Sequence, residues 1–201
     1  GWATFPSAKQ CIVETSDGPV TIDADNVIIA TGSSHIDLPF MPCDEEFIIS
    51  STGALDLQKL PKKVAVIGGG YIGLELGCAL SRLGTKVTVI EGMDSVLAIM
   101  DKEIRRPVEI WLKKHKVVVH TQAMAKGAVV KGKGVSRKVH MTFEKNDEEQ
   151  TIVVDKVLVT VGRRPNTKGW GLENMGVRMD SSGRFIRIDD KCQTSVPGIY
   201  A

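Results

Sequence analysis

Gly68-Gly69-Gly70-Tyr71-Ile72-Gly73 sets three glycines in a G-x-G-x-x-G pattern directly after the apolar run Val64-Ala65-Val66-Ile67. Glu91 closes a second apolar run, Val87-Thr88-Val89-Ile90. Each residue type has a physical task at that spacing. A glycine at 68 permits a tight strand-to-helix turn, and one at 70, lacking Cβ, lets a phosphate approach the backbone. The free N–H groups of the helix that opens there, with its dipole, favour negative charge. Gly73 and Gly77, on one helix face, allow that helix to lie close on a sheet. Glu91, about 20 residues beyond the last glycine, is placed to accept hydrogen bonds from a ribose. The chemistry is the binding of a dinucleotide, and the carboxylate also selects. It repels a 2′-phosphate, and Gly92-Met93-Asp94 supplies no arginine to neutralise one. NAD(H) is therefore the expected ligand rather than NADP(H).

Such a turn works only inside a strand–helix–strand frame. The continuous run 64–67 reads as a parallel strand covered on both faces. The spacing of Ile72, Leu76, Ala79, Leu80 and Leu83 predicts a helix with that stripe inward, stopped at Gly84, and 87–90 is the returning strand. A second helix is predicted over 101–115, with Ile104, Val108, Trp111, Leu112 and His115 on one side and Pro107 imposing a kink or a late start. Residues 117–119 and 157–161 read as further strands, and 125–155 and 10–30 as antiparallel meanders. The Pro-bearing stretch 35–62 reads as a connection, with a boundary near 45.

With 26 basic and 24 acidic side chains the net charge is +2, too balanced for a nucleic-acid footprint. No apolar run is long enough to span a membrane, and Gly1-Trp2-Ala3-Thr4-Phe5 lacks the features of a signal peptide. Cys11, Cys43, Cys78 and Cys192 form no C-x-x-C and no Cys/His ligand cluster. They read as reduced structural thiols. His35, His115, His120 and His140 fall in no catalytic motif and read as surface or core histidines, so neither a metal site nor a catalytic residue is expected.

Thr31-Gly32-Ser33, Ser51-Thr52-Gly53-Ala54-Leu55, Ile67 to Glu75, Gly162-Arg163-Arg164-Pro165-Asn166-Thr167 and Thr194 to Ala201 follow the motif order of the flavoprotein disulfide reductases. The chain resembles that family over essentially its whole length, its dihydrolipoyl dehydrogenase branch most. The resemblance implies an α/β, Rossmann-like FAD/NAD(P)-binding fold: a central parallel sheet with helices and an antiparallel three-stranded meander. It implies that 1–45 are part of an FAD-binding domain, 46–177 an NAD-binding domain, and 178–201 the return segment of the first. Carried over, Gly68, Gly69, Gly70, Tyr71, Ile72, Gly73, Leu74, Glu75 and Glu91 would hold NAD. Ala123 would border the adenine and Gly162 the nicotinamide. Tyr71 matches a flavin-shielding position and Glu75 a carboxylate near the nicotinamide. Ala3, Thr31, Gly32 and Ser33 match FAD-contacting positions, and Arg163 would face the flavin side chain.

The family's reaction passes electrons from dihydrolipoamide through a redox disulfide and FAD to NAD, in a homodimer that works on a lipoyl-bearing protein. The implied location is intracellular: the mitochondrial matrix in a eukaryote, the cytoplasm in a bacterium. The family's first FAD glycine motif, its paired redox cysteines and its His/Glu pair match nothing in this sequence. The resemblance therefore implies a central segment that binds nucleotide without turnover. A glutathione-type or mercuric reductase, and a non-catalytic dinucleotide-binding module, remain alternatives.

Overall fold

The structure, a computed structural model, describes residues 1–201. It divides into two compact units, 1–34 with 163–201, and 35–162. The cuts lie at 34/35 and 162/163, against the expected 45/46 and 177/178. The physical reason is packing: Met41, 1% exposed, joins the core of the 35–162 unit with Leu38 and Cys43 against it, whereas Trp170, Leu172 and Met175 share a core with Val27 and Ile199.

The flanking unit begins with an antiparallel meander of β1 (Trp2–Ser7), β2 (Gln10–Thr15) and β3 (Gly18–Asp23). The turn-and-strand alternation from residue 10 identifies β2 and β3 and misses β1. β4 is only Val27–Ile28, followed by β5 (Ser33–His35).

Within the 35–162 unit come β6 (Ile48–Ile49), α1 (Ser51–Leu55), β7 (Lys63–Ile67), α2 (Tyr71–Arg82), β8 (Lys86–Ile90), α3 (Lys102–Lys114) and β9 (Val118–His120). They are followed by β10 (Ala123–Lys131), β11 (Lys138–Lys145), β12 (Glu148–Val154) and β13 (Lys156–Val159). Five strands make a parallel sheet in the order β6-β13-β7-β8-β9. Alternate side chains supply opposite cores, as the pleat requires. Ala65, Ile67, Ile90, Val157 and Val159 pack with Met141 and Phe143 of the β10–β12 meander. Val64, Val66, Val87, Val89 and Leu158 pack with Leu74, Leu80 and Leu112 of the helices. This two-sided burial is why 64–67 is apolar throughout and 87–90 is interrupted only at the half-buried Thr88. In the flanking unit, β14 (Arg163–Pro165) and β15 (Ile199–Tyr200) follow, with β15 pairing parallel to β4.

Two helix expectations are corrected. The buried residues of α2 are Gly73, Leu74, Gly77 and Leu80, while Leu83, expected inward, is 64% exposed. Gly73 and Gly77 bring the backbone against the sheet as expected, and that close approach sets the inward face, which keeps Leu80 of the predicted stripe and leaves Ala79 outside with Leu83. α3 starts at Lys102 and runs through Pro107 to Lys114, so the proline does not delay it. Its inward residues are Leu112 with Val108 and Trp111 beside it, and Ile104 is 58% exposed.

The stretch from 35 to 50 is held by carboxylates. Asp37 Oδ1 accepts the Cys43 N–H at 3.0 Å, and Asp44 Oδ1 accepts the N–H groups of Glu46, Phe47 and Ile48 at 2.8, 2.6 and 2.9 Å. Burial first, and then the hydrogen bond to Asp37, push the Cys43 thiol up to about 12. All four cysteines are free, and Cys192 is exposed. Since the thiolate is the nucleophile, Cys43 is expected to alkylate about tenfold or more slowly than Cys192 near neutral pH. Peptide mapping after brief iodoacetamide treatment checks this; equal labelling would contradict it.

Candidate dinucleotide-binding site

β7 ends at Ile67, and the chain turns at Gly68 with φ +99°. A Cβ there would lie 2.7 Å from the carbonyl oxygen of Thr160, and one on Gly73 would lie 2.2 Å from that of Gly68. Both glycines are demanded by the chain's own packing. Gly70 differs: its φ is −75°, and a Cβ added to it would meet nothing within 4 Å. It is the N-cap of α2 and offers no side-chain cap. The first bond into the helix is from Leu74 N–H to the Gly70 carbonyl at 3.0 Å. The N–H groups of the opening turn are left to water or a ligand, and the helix dipole favours an anion there.

Glu91 stands beside this turn as expected, and its carboxylate has an additional task. Its Oε2 accepts the Gly69 N–H at 2.5 Å and its Oε1 accepts the Met93 N–H at 2.7 Å. Charge-assisted bonds of this kind fix the carboxylate and the glycine turn to each other. Each oxygen keeps lone-pair capacity for a ribose hydroxyl. Ala123 lies next to Glu91 through its N–H, which donates to the Glu91 carbonyl at 2.9 Å. The whole residue is 1% exposed, so it presents almost no surface of its own. Leu74, 4% exposed, is likewise a core side chain. Ile72 is half-buried, whereas Tyr71 and Glu75 are exposed on the first turns of α2. Gly162, with φ +139°, ends the unit two residues beyond Thr160.

Thr160 is the participant that sequence reasoning missed. Its hydroxyl donates to the carbonyl of Ile67 at 2.9 Å and also lies 3.2 Å from that of Gly68, so it braces the turn from the residue that follows β13. The signal was present in Thr160-Val161-Gly162, which resembles Ala30-Thr31-Gly32 as a strand-to-glycine exit.

In the flanking unit, Thr31 donates to the Asn166 carbonyl at 2.7 Å, Asn166 N–H donates to the Gly32 carbonyl at 3.0 Å, and Ser34 donates to Asn166 Oδ1 at 2.7 Å. Arg163 Nε donates to Ser33 Oγ at 2.7 Å, and its Nη2 donates to the Ser33 carbonyl. The predicted residues 31–33 and 163 are thus brought together, with Asn166 as the cross-link. A cleft of about 1110 Å³ is lined by Ala3, Thr31 and Ser34, with Arg164, Lys168 and Arg184 supplying positive charge.

Residues 2–201 match the protein family described as pyridine nucleotide-disulphide oxidoreductase. The chain belongs to that family. Among its relatives, dihydrolipoyl dehydrogenase of Geobacillus stearothermophilus is 46% identical over 201 residues, and that of Bacillus subtilis is 44% identical over 202. Mitochondrial dihydrolipoyl dehydrogenase of Dictyostelium discoideum is 45% identical over 205. Each match covers all of this chain and only 42%, 42% and 41% of the relative, so the chain spans less than half their length. Solved structures of the family agree on the fold. The HOCl-induced flavoprotein disulfide reductase RclA from Escherichia coli superposes with a TM-score of 0.81 at 25% identity, covering 100% of this chain and 44% of that one. LpdA from Mycobacterium tuberculosis gives 0.81 at 30%, covering 100% and 43%. The α/β fold of this oxidoreductase family member is therefore Rossmann-like, as its parallel sheet and glycine turn already indicate. No helix is long and apolar enough to cross a membrane.

Proposed function

We propose that the 35–162 unit binds NAD(H), and that it serves as the nucleotide-binding part of an enzyme of the dihydrolipoyl dehydrogenase type. The single observation behind this is Gly70. Neither its dihedral angles nor any neighbour requires a glycine, yet it stands where a Cβ would fill the approach to an open helix N-terminus, with a fixed carboxylate beside the turn. A pyrophosphate is the group that needs that space.

Bound there, the nicotinamide would supply the hydride chemistry of the intact enzyme. The chain's own residues bind and orient. The turn N–H groups and the α2 dipole hold the pyrophosphate, Glu91 takes the adenosine ribose hydroxyls and repels a 2′-phosphate, and Ala123 marks the adenine end. Gly162, with Tyr71 and Glu75, would meet the nicotinamide end. The flanking residues Ala3, Thr31, Gly32, Ser33 and Arg163 belong in this reading to an FAD-binding part, and the basic cleft at Ala3 and Thr31 has room for a nucleotide. The domain ends expected from sequence, 46–177 with flanks 1–45 and 178–201, enclose every strand of the parallel sheet. The electron path from dihydrolipoamide, the lipoyl-bearing partner and the homodimer belong to the whole enzyme.

Titrating the chain with NADH and NADPH by calorimetry tests the reading. NADH should bind about tenfold or more tightly than NADPH, the equivalent of roughly 1.4 kcal/mol. Gly70→Val should abolish NADH binding while leaving thermal unfolding unchanged. Equal binding of the two nucleotides, no binding of either, or an unaffected Gly70→Val variant would each remove the support.

A further inference from the structure

The sequence separates His35 from Cys43 by seven residues and shows no metal-ligand spacing. The fold corrects the expectation that no Cys/His cluster exists. A ligand atom from each of His35, Cys43 and Glu45 lies within 4.8 Å of the others. His35 and Cys43 are half-buried and Glu45 is exposed, so the group opens to solvent and is reachable by an ion.

The loop that assembles it is ordered by side chains other than the three. Asp44 Oδ1 holds the backbone of residues 46–48, which fixes the course of the chain between Cys43 and Glu45. Glu45 sits at φ +56°, and its Oε2 accepts the Ser50 N–H at 3.2 Å, so the carboxylate is anchored by one oxygen. Asp37 joins the cluster to itself: its Oδ1 accepts the Cys43 N–H at 3.0 Å and lies 3.5 Å from His35 Nε2. A carboxylate touching a histidine ring is the usual outer support of a metal-bound imidazole.

We propose that His35, Cys43 and Glu45 form a zinc(II) site, with Asp37 as the carboxylate that orients the His35 ring. One nitrogen, one sulfur and one oxygen donor suit a tetrahedral borderline-soft dication better than calcium or magnesium, which take oxygen ligands. Bond lengths of about 2.0–2.3 Å put tetrahedral ligands roughly 3.3–3.8 Å apart. Separations within 4.8 Å therefore need to contract by no more than about 1–1.5 Å, within reach of small side-chain rotations of the three residues. Binding releases the Cys43 proton to solvent as the S–Zn bond forms, and no electron is transferred. Three protein ligands leave a fourth position for water, and the ion would tie the chain at 35 to the loop at 43–45.

The test uses the 201-residue chain in reduced form. Zinc binding is measured by competition with a chromophoric chelator, and cobalt(II) serves as an optical probe of the same site. The expected result is one ion per chain, a thiolate-to-cobalt charge-transfer band, and the intense visible bands of tetrahedral cobalt. Cys43→Ser should remove the charge-transfer band, and His35→Gln and Glu45→Gln should each weaken zinc binding tenfold or more. Asp37→Asn should weaken it by about 10–100-fold, as outer-shell partners do. Cys192→Ser should change nothing. Circular dichroism of each variant separates loss of ligand from loss of fold, and the four loop positions provide independent readings. Absence of stoichiometric binding overturns the proposal. So does binding indifferent to Cys43→Ser and His35→Gln, or binding lost with Cys192→Ser.

Discussion

Gly73→Ala is expected to lower the unfolding free energy by about 1–3 kcal/mol, the usual toll of overpacking a filled interior. The added methyl would fall 2.2 Å from the Gly68 carbonyl oxygen, 2.5 Å from Thr160 Oγ1 and 3.1 Å from Val66 Cγ1. Two of these neighbours cannot simply step aside. The Gly68 carbonyl belongs to the glycine turn, and Thr160 is bound to that turn by its hydroxyl. Relief must come from moving α2 off the sheet, which separates Leu74 and Leu80 from their core partners. Gly77→Ala is the internal control. There the methyl would meet Val87 and Val66 at 3.5 and 3.6 Å, ordinary contact distances. Because alanine is the better helix former, that variant should be neutral or gain up to about 1 kcal/mol. Urea unfolding of the pair measures the difference. If Gly73→Ala proved as stable as Gly77→Ala, the close approach of α2 to the turn would be refuted.

Glu91→Ala is expected to weaken NADH binding by about 1–3 kcal/mol and to lower stability by about 2 kcal/mol at the same time. The first effect rests on the ribose hydrogen bonds of the proposed complex. The second comes from the free protein, where one carboxylate holds the N–H groups of both Gly69 and Met93. The Met93 bond is solvent-exposed, so the Gly69 bond supplies most of the loss. Denaturant unfolding without nucleotide reads the structural part. Calorimetric titration well below the melting transition reads the binding part. Unchanged NADH affinity would show that Glu91 does not hold the ribose, and unchanged stability would show that the turn is fixed by its glycines alone. Glu91→Gln keeps one acceptor oxygen and should retain part of the stability, while giving up the charge that disfavours NADPH.

The strand–turn–helix–strand unit from Lys63 to Glu91 was legible because its determinants are local. A strand covered on both faces must be apolar throughout, and a turn with positive φ at Gly68 must be glycine. The inward face of α2 was less legible. Apolar spacing chose Ile72, Leu76, Ala79, Leu80 and Leu83; Leu80 is buried as expected, but it shares the inward face with Gly73, Leu74 and Gly77, while Ala79 and Leu83 are exposed. Periodicity ranks side chains by size, so the stripe it selects is rotated away from the face on which the two glycines admit the sheet. α3 likewise passes through Pro107, since one absent hydrogen bond is outweighed by the packing of Leu112, Val108 and Trp111. Unit boundaries at 34/35 and 162/163 depend on where Met41 and Trp170 are buried, which no local pattern carries.

By itself, then, the sequence determined the family, the parallel-sheet architecture and the pairing of a glycine turn with Glu91 on which the proposed dinucleotide site rests, all of them consequences of residue type at short spacing. Only the tertiary structure decided that Glu91 clamps Gly69 as well as standing beside it, that Thr160 braces the turn from the end of a distant strand, and that His35, Cys43 and Glu45 converge. These are contacts between side chains and backbone groups whose separation along the chain is unrelated to their distance in space. The glycines of the turn show both sides. Gly70 reads from the motif, but only the structure shows that nothing inside the protein requires it to be glycine.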